Sequence, residues 1–323
     1  MEIFILCLKQ MLMMATLILI GYILRKKDVV PPNSYIVLSR CETYIFTPAL
    51  SFYTMLNNCN LQTFKANYKL MFYGTAVVLI ALAIAYPLSK IFVKNSNKSD
   101  TLMYQRNIYK YALVFANHGF VGNFVVLGVF GEEMFFKYSL FTFVPNVVTC
   151  LWGLYVLIPK DRGAGLLKNL KKGLLTPPLI AYTLGMVVGL LGLKAYMPDF
   201  IMNACNTAGN CMGPVAMVLA GVVIGGYSIK AMLKNKMVYL VSLFRLIIIP
   251  AVFVGVLKLI NVPYEITLAA LIFLACPLGM NTIVYPAAYG GDTRTGAAMT
   301  MISSVFSVVT IPIMYYLFMV LIP

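Results

Sequence analysis

Phe115-Ala116-Asn117-His118-Gly119-Phe120-Val121-Gly122-Asn123 lies inside one apolar stretch, 109–130, and Cys276-Pro277-Leu278-Gly279-Met280-Asn281-Thr282 lies inside another, 265–289. Each stretch reads as a membrane-spanning helix except at its centre. The first centre holds two glycines, two asparagines and the only histidine of the chain; the second sets Pro277 and Gly279 beside Asn281, with Pro286 beyond. Proline removes a backbone donor and clashes with the preceding turn, and glycine admits non-helical torsions. Unwound backbone survives at membrane depth only where it is buried in protein or lines a cavity. The half-helix after such a break offers free N–H groups and partial positive charge, which suit an anion. The carbonyl end of the half before it suits a cation. The two stretches therefore predict a pair of broken helices framing a site. Asn117, His118, Gly119, Gly122, Asn123, Pro277, Gly279 and Asn281 are its candidate substrate-binding residues.

The rest of the chain agrees with a membrane setting. Of 323 residues, 61% are hydrophobic and 11% charged, and mean hydropathy is +0.87. At about 20 residues per crossing, this composition fills about ten helices and leaves little for a soluble domain. Ten apolar stretches can be marked, at 3–24, 35–56, 68–93, 109–130, 137–158, 175–193, 199–227, 237–258, 265–289 and 297–322. They are near-continuous rather than alternating, which excludes a transmembrane barrel. A cytosolic enzyme, a disordered chain and a nucleic-acid binder are excluded as well. The net charge of +15 reads as basic loops. The first stretch is expected to be a retained helix rather than a signal peptide, because its basic residues follow the apolar run.

Loops after the odd-numbered stretches carry seventeen lysines and arginines, against five on the other side. The bias predicts a multi-pass protein of the inner, cytoplasmic membrane with both termini non-cytoplasmic. The long loop at about 159–174 divides the chain into 1–160 and 161–323, five helices each. Five is odd, so the second set is expected to be inverted relative to the first, a common transporter architecture. Pro48 and Pro214 fall in corresponding slots, as do Asn117 and Asn281.

Catalytic and metal motifs are absent. There is no GxxxxGK[ST], HExxH or GxSxG, and the seven cysteines include no CxxC. No catalytic residue, metal ligand or cofactor is expected, only a coupling Na+ or H+. Intramembrane ionisable groups are functional candidates by default. Glu42 and His118 are the coupling candidates; the plainer readings are an interfacial ion pair with Arg40 or a snorkelling group for Glu42, and a hydrogen-bonded packing residue for His118. Lys9 and Arg245 are expected to snorkel or pair. Pro48, Pro145, Pro214, Pro250 and Pro312 read as kinks.

Three segments, ILIGYILRKKDVVPPNSYIVLSRCETYIFTPALSF (18–52), ALVFANHGFVGNFVVLGVFGEE (112–133) and CPLGMNTIVYPAAYGGD (276–292), resemble the auxin efflux carrier family, the plant PIN carriers and their bacterial relatives. The likeness runs over essentially the whole chain. It implies an all-α integral membrane fold of ten helices in two inverted five-helix repeats, related to bile acid:sodium symporters. Helices 1, 2, 6 and 7 would form a scaffold, often dimeric. Helices 3–5 and 8–10 would form a moving transport domain, with broken helices 4 and 9 crossing at the site. Family substrates are small organic anions, and matching positions add Ser51, in TPALSF, and Asn146 to the contacts. Phe124 stands where many relatives have the proline of a GIPL motif, and His118 where a small polar residue is common.

The expected function is a secondary active or facilitative carrier of a small carboxylate by alternating access, with only the bilayer and the substrate as necessary partners. Two alternatives stay open: a sodium-coupled, bile-acid-like symporter, and a solute-binding membrane receptor or channel.

Overall fold

The computed structural model describes residues 2–158, 175–289 and 291–322. Lys160, Arg162, Lys168, Lys171 and Lys172, and the expected boundary between the repeats at 160/161, lie outside the described residues. Within them the chain is helical, with no strand. All ten apolar stretches are helical over most of their length. Six of the described helices are long and apolar enough to cross a membrane: Glu2–Lys26, Leu61–Phe92, His118–Gly153, Asp199–Gly225, Lys236–Leu259 and Arg294–Leu321. Pro177–Leu190 and Tyr264–Ala275 are apolar but shorter. The multi-pass character predicted from composition is thus present. Large apolar side chains such as Leu12, Phe72, Val252 and Val305 remain exposed on the outer surface.

Several helices carry a turn wound one residue too wide, at Glu42–Phe46, His118–Gly122, Phe244–Ile248 and Leu317–Leu321. Two have a visible cause. Pro48 and Pro250 stand in the first turn of the helices Thr47–Asn58 and Ile249–Leu259, directly after such a turn. A proline cannot donate to the preceding turn, so the ladder slips by one residue there.

The helix assigned as Asn123–Val156 is bent back on itself at Gly131, whose φ of 78° suits glycine alone. His118 and Asn146 show the reversal. A straight helix would hold residues 28 apart about 42 Å apart, yet their side chains are 2.8 Å apart. The tip carries Glu133, paired with Lys137 at 2.9 Å, and Lys137 also reaches Glu265 at 3.5 Å.

Two neighbourhoods of helix packing stand out, joined by the contact of Glu2–Lys26 with Arg294–Tyr316. Glu2–Lys26 lies along Asp199–Gly225, and Thr47–Asn58 lies along both Pro177–Leu190 and Asp199–Gly225. Small residues permit close approach of these backbones. A Cβ on Gly21 would sit 2.1 Å from the carbonyl oxygen of Val218, and one on Gly221 would sit 2.0 Å from that of Ile18. Gly185 and Gly189 meet the backbone of Phe52 and Cys59 in the same way. In the other neighbourhood Lys69–Phe92 packs on Asp100–Val114 and Asn123–Val156, and Ile249–Leu259 packs on Tyr264–Ala275.

Candidate functional site at two helix breaks

The Asp100–Val114 helix stops where the sequence places its asparagine–glycine cluster, and Phe115 and Asn117 are non-helical. The Tyr264–Ala275 helix stops before Pro277 and resumes at Asn281. The two unwound segments touch. Ala116 and Leu278 form an isolated antiparallel bridge, and the Asn117 N–H donates to the Pro277 carbonyl at 2.7 Å. The Leu278 N–H donates to Ser303 Oγ at 2.9 Å. Backbone groups freed by one break are thus partly satisfied by the other, as buried irregular backbone requires. The approach is tight: a Cβ on Gly279 would lie 3.2 Å from the Ala116 carbonyl oxygen.

A cavity of about 330 Å³ opens beside this contact. Its wall includes Asn117, His118, Gly119, Asn123, Gly279 and Asn281 from the breaks, together with Ser51 and Asn146. Both second halves therefore begin at the cavity. The first N–H groups of a helix have no partner within it, so two positive helix ends meet one space. Gly122 and Pro277 are not on the wall. Gly122 packs against Tyr138, whose hydroxyl a Cβ would meet at 2.2 Å, whereas nothing lies within 4 Å of a Cβ on Gly119.

His118 is only 3% exposed and uses both ring nitrogens, Nδ1 with the Ala116 carbonyl at 3.1 Å and Nε2 with Asn146 Oδ1 at 2.8 Å. Neutral imidazole has a single N–H, so turning the Asn146 amide over would supply the second donor. The ring lies 4.7 Å from that of Phe273, and the His118 carbonyl accepts from the Tyr138 hydroxyl at 3.2 Å. Asn281 donates through Nδ2 to the Tyr111 hydroxyl at 3.0 Å. Both candidate polar anchors are thus held by neighbours.

Ser51 and Asn146, expected from the family resemblance, lie on the wall, and the structure adds Ser39, Thr43, Thr47, Ser139, Thr142 and Thr149, which the sequence reading missed. Ser39, Thr43, Thr47 and Ser51 line the cavity four residues apart, and Ser139, Thr142, Asn146 and Thr149 line it at steps of three and four. Such spacing puts each set on one helix face, and this periodicity of polar groups inside apolar stretches was the available signal. Several of these hydroxyls donate back along their own helix, Thr43 to Ser39 O at 2.8 Å and Thr142 to Tyr138 O at 2.9 Å, leaving oxygen lone pairs for the cavity. Thr149 and Tyr182 are on the wall, and their hydroxyls have no hydrogen-bond partner among the described residues. Among the described residues no lysine, arginine, aspartate or glutamate lies on the wall.

Two expectations about charged groups need correction. Glu42 does not pair with Arg40: it is fully buried while Arg40 is exposed, because residues two apart on a helix face different ways. Its one close partner is the Thr47 hydroxyl at 3.5 Å, which sets it one residue behind the cavity wall. Arg245 neither snorkels nor pairs. It sits mid-span in a wide turn, fully buried, and donates from Nη2 to the Phe273 carbonyl at 3.1 Å. Its Nε and Nη1 have no hydrogen-bond partner among the described residues. Among the described residues the seven cysteines are free.

A family model described as a membrane transport protein matches residues 6–315. An uncharacterized transporter of Methanocaldococcus jannaschii is 28% identical over 305 residues, covering 93% of this chain and 95% of that protein. The matched segment runs from the first helix to the last and takes in both breaks, so the chain belongs to the membrane transport protein family of auxin-efflux-carrier-like transporters and is a transporter rather than an enzyme.

Proposed function

We propose that the protein is a carrier of a small carboxylate that works by alternating access, with its substrate site in the cavity at the two helix breaks. The carrying observation is the convergence of two half-helix starts, joined by the Ala116–Leu278 bridge, on one cavity. Anions bind where backbone N–H groups and helix dipoles point together. The wall has hydroxyl and amide side chains to orient a carboxylate and, among the described residues, no carboxylate of its own to repel one.

The wall also draws on both packing neighbourhoods. Ser39–Ser51 and Tyr182 belong to one, and residues 116–150 and 279–285 to the other. This supports a division into a scaffold of helices 1, 2, 6 and 7 and a moving domain of helices 3–5 and 8–10, ten crossings in all. Sliding one body along the other would carry the site from side to side. The inverted repeat gains support from packing: helix 1 on helix 7 and helix 6 on helix 2 are equivalent pairs, and each is closed by glycines. The basic loops favour the inner membrane with both termini outside the cytoplasm.

The test is uptake into proteoliposomes with radiolabelled mono- and dicarboxylates. Saturable uptake by the wild type should be lost in Asn117→Ala while its thermal unfolding is unchanged. Undiminished transport by that variant would remove the site from the breaks.

A further inference from the structure

The outer surface carries a second concavity, far more apolar than the first. A groove of about 560 Å³ is framed by Glu2–Lys26 and Arg294–Tyr316, the two helices whose contact joins the packing neighbourhoods. Ile18, Leu19 and Tyr22 line one side, and Met301, Ile302 and Val305 the other. Steps of three and four place each set on one helix face. Leu19 and Val305 are more than half exposed. Among the described residues the wall's polar groups are Ser304 and the hydroxyls of Tyr22 and Tyr239. An unfilled groove of this kind forfeits dispersion contacts along its whole length, and the material beside it in a membrane is acyl chain.

One end of the groove is charged. Ile229 and Leu233 are on the wall, and Lys230 and Lys234 each follow one residue later, beside that apolar face. Lys236 stands three residues before Tyr239 on the same helix face, and Lys26 four residues after Tyr22. The Lys26 ammonium lies 5.9 Å from the centre of the Tyr22 ring and donates to the Tyr227 carbonyl at 3.1 Å. All four lysines are exposed, and none forms a salt bridge among the described residues. The acids nearby are already engaged. Asp28 pairs with Arg25 at 2.6 Å, and Asp292 accepts from the Arg294 N–H and the Thr295 hydroxyl. Glu2 and Asp199 belong to helices that line the groove but sit in their first turns, at the opposite ends.

Depth fits as well. The wall residues of the first and last helices lie about 6–21 Å along their helices from the basic end. That is about the depth of one leaflet, half of a hydrocarbon core of about 30 Å. Basic clusters beside spanning helices collect anionic headgroups, and lysine stems lie along apolar surface while their heads reach the interface.

We propose that the groove is a binding site for an anionic phospholipid, with an acyl chain along the apolar wall and the phosphate among Lys26, Lys230, Lys234 and Lys236. A zwitterionic lipid would fill the groove and leave the four ammonium groups without net counter-charge. A second copy of the chain, related by a two-fold axis along the membrane normal, would bring a second set of the same lysines to the same level.

The test is quenching of a groove tryptophan by brominated lipid. Trp152 is the only tryptophan of the chain, so full-length Trp152→Phe/Phe306→Trp reports on the wall alone. Trp152→Phe/Ile80→Trp is the reference: Ile80 is exposed on Lys69–Phe92, whose end also carries Lys90 but which lines no part of the groove. Both are reconstituted in dioleoylphosphatidylcholine with brominated phosphatidylglycerol or brominated phosphatidylcholine. The preference for phosphatidylglycerol should be about fivefold greater at position 306 than at position 80. Lys230→Gln/Lys234→Gln/Lys236→Gln should remove that excess and leave quenching by phosphatidylcholine unchanged.

Equal preference at the two positions, or an excess that survives the triple substitution, would overturn the proposal. So would a tryptophan at 306 that neither lipid quenches, which would mean that protein covers the groove. If the tryptophan variants do not fold, the unfolding temperature of the wild type in detergent decides. Phosphatidylglycerol should raise it more than phosphatidylcholine does, and equal shifts would overturn the proposal.

Discussion

Two regions of the same bundle solve opposite problems. Where Glu2–Lys26 meets Asp199–Gly225, the backbones nearly touch, the helices are unbroken, and Gly21 and Gly221 fit against opposing carbonyls. Around Ala116 and Leu278 the helices stop, backbone N–H groups seek partners across the break, and polar side chains crowd a cavity. The first region gains stability from dispersion between close-packed surfaces. The second gives up helix hydrogen bonds and keeps its order through a few specific ones. Sequence changes should therefore damage the first through bulk and the second through chemistry.

The largest effect is expected in the packed region. Gly21→Val or Gly221→Val drives a side chain into backbone that cannot swing away. Overpacking of a core costs typically about 1–3 kcal/mol, occasionally more, and these clashes belong at the upper end. Folded yield and the unfolding midpoint in detergent should both fall sharply; a midpoint within a degree or two of wild type would show that the helices separate easily and that the close approach is incidental.

Next comes Ser303→Ala. It removes the acceptor for the Leu278 N–H and strands a buried donor, at a cost of about 1–3 kcal/mol. Transport should fall further than stability, because the misplaced backbone is that of the bridge. Equal losses in both would make the hydroxyl a general packing element.

Gly119→Ala gives the contrasting glycine. Its Cβ meets open space, so stability should stay within about 0.5 kcal/mol of wild type, while the added methyl group narrows the cavity. Substrate affinity should drop several-fold in a binding titration. An unfolding midpoint as damaged as that of Gly21→Val would erase the distinction between the two regions.

The smallest effects belong to the hydroxyl row. Thr43→Val and Thr47→Val keep shape and delete one hydrogen-bonding group each. A net loss of about 0.5–1.5 kcal/mol per bond should weaken apparent affinity a few-fold with maximal rate preserved. If the double variant transports as the wild type does, the row faces solvent in the cavity rather than substrate.

The sequence reading of the breaks was sound for a local reason. Proline and glycine act on their own backbone, so Pro277 and the glycines of 119–122 announce interruption wherever the chain later goes. Apolar composition is local in the same sense. Legibility ended where partners are remote in the chain. Glu42 and Arg245 look like ordinary embedded charges in a linear reading, and only packing reveals that one is buried away from Arg40 and the other caps the helix end 28 residues on. The hydroxyl row was visible in principle, at steps of four, but serine and threonine inside apolar helices commonly bond to their own backbone.

From the chain alone came a helical membrane protein, ten apolar stretches, and two places where helix must fail, because hydropathy and backbone torsion are properties of residues and their near neighbours. The tertiary structure alone decided that the two failures meet, that His118 is tied to Asn146 across a reversal of the chain, and that Arg245 lies buried on the Phe273 carbonyl with no salt bridge among the described residues. Those facts depend on which surfaces come together. That is settled by the packing of whole helices, glycine against carbonyl, over distances along the chain that no local pattern encodes.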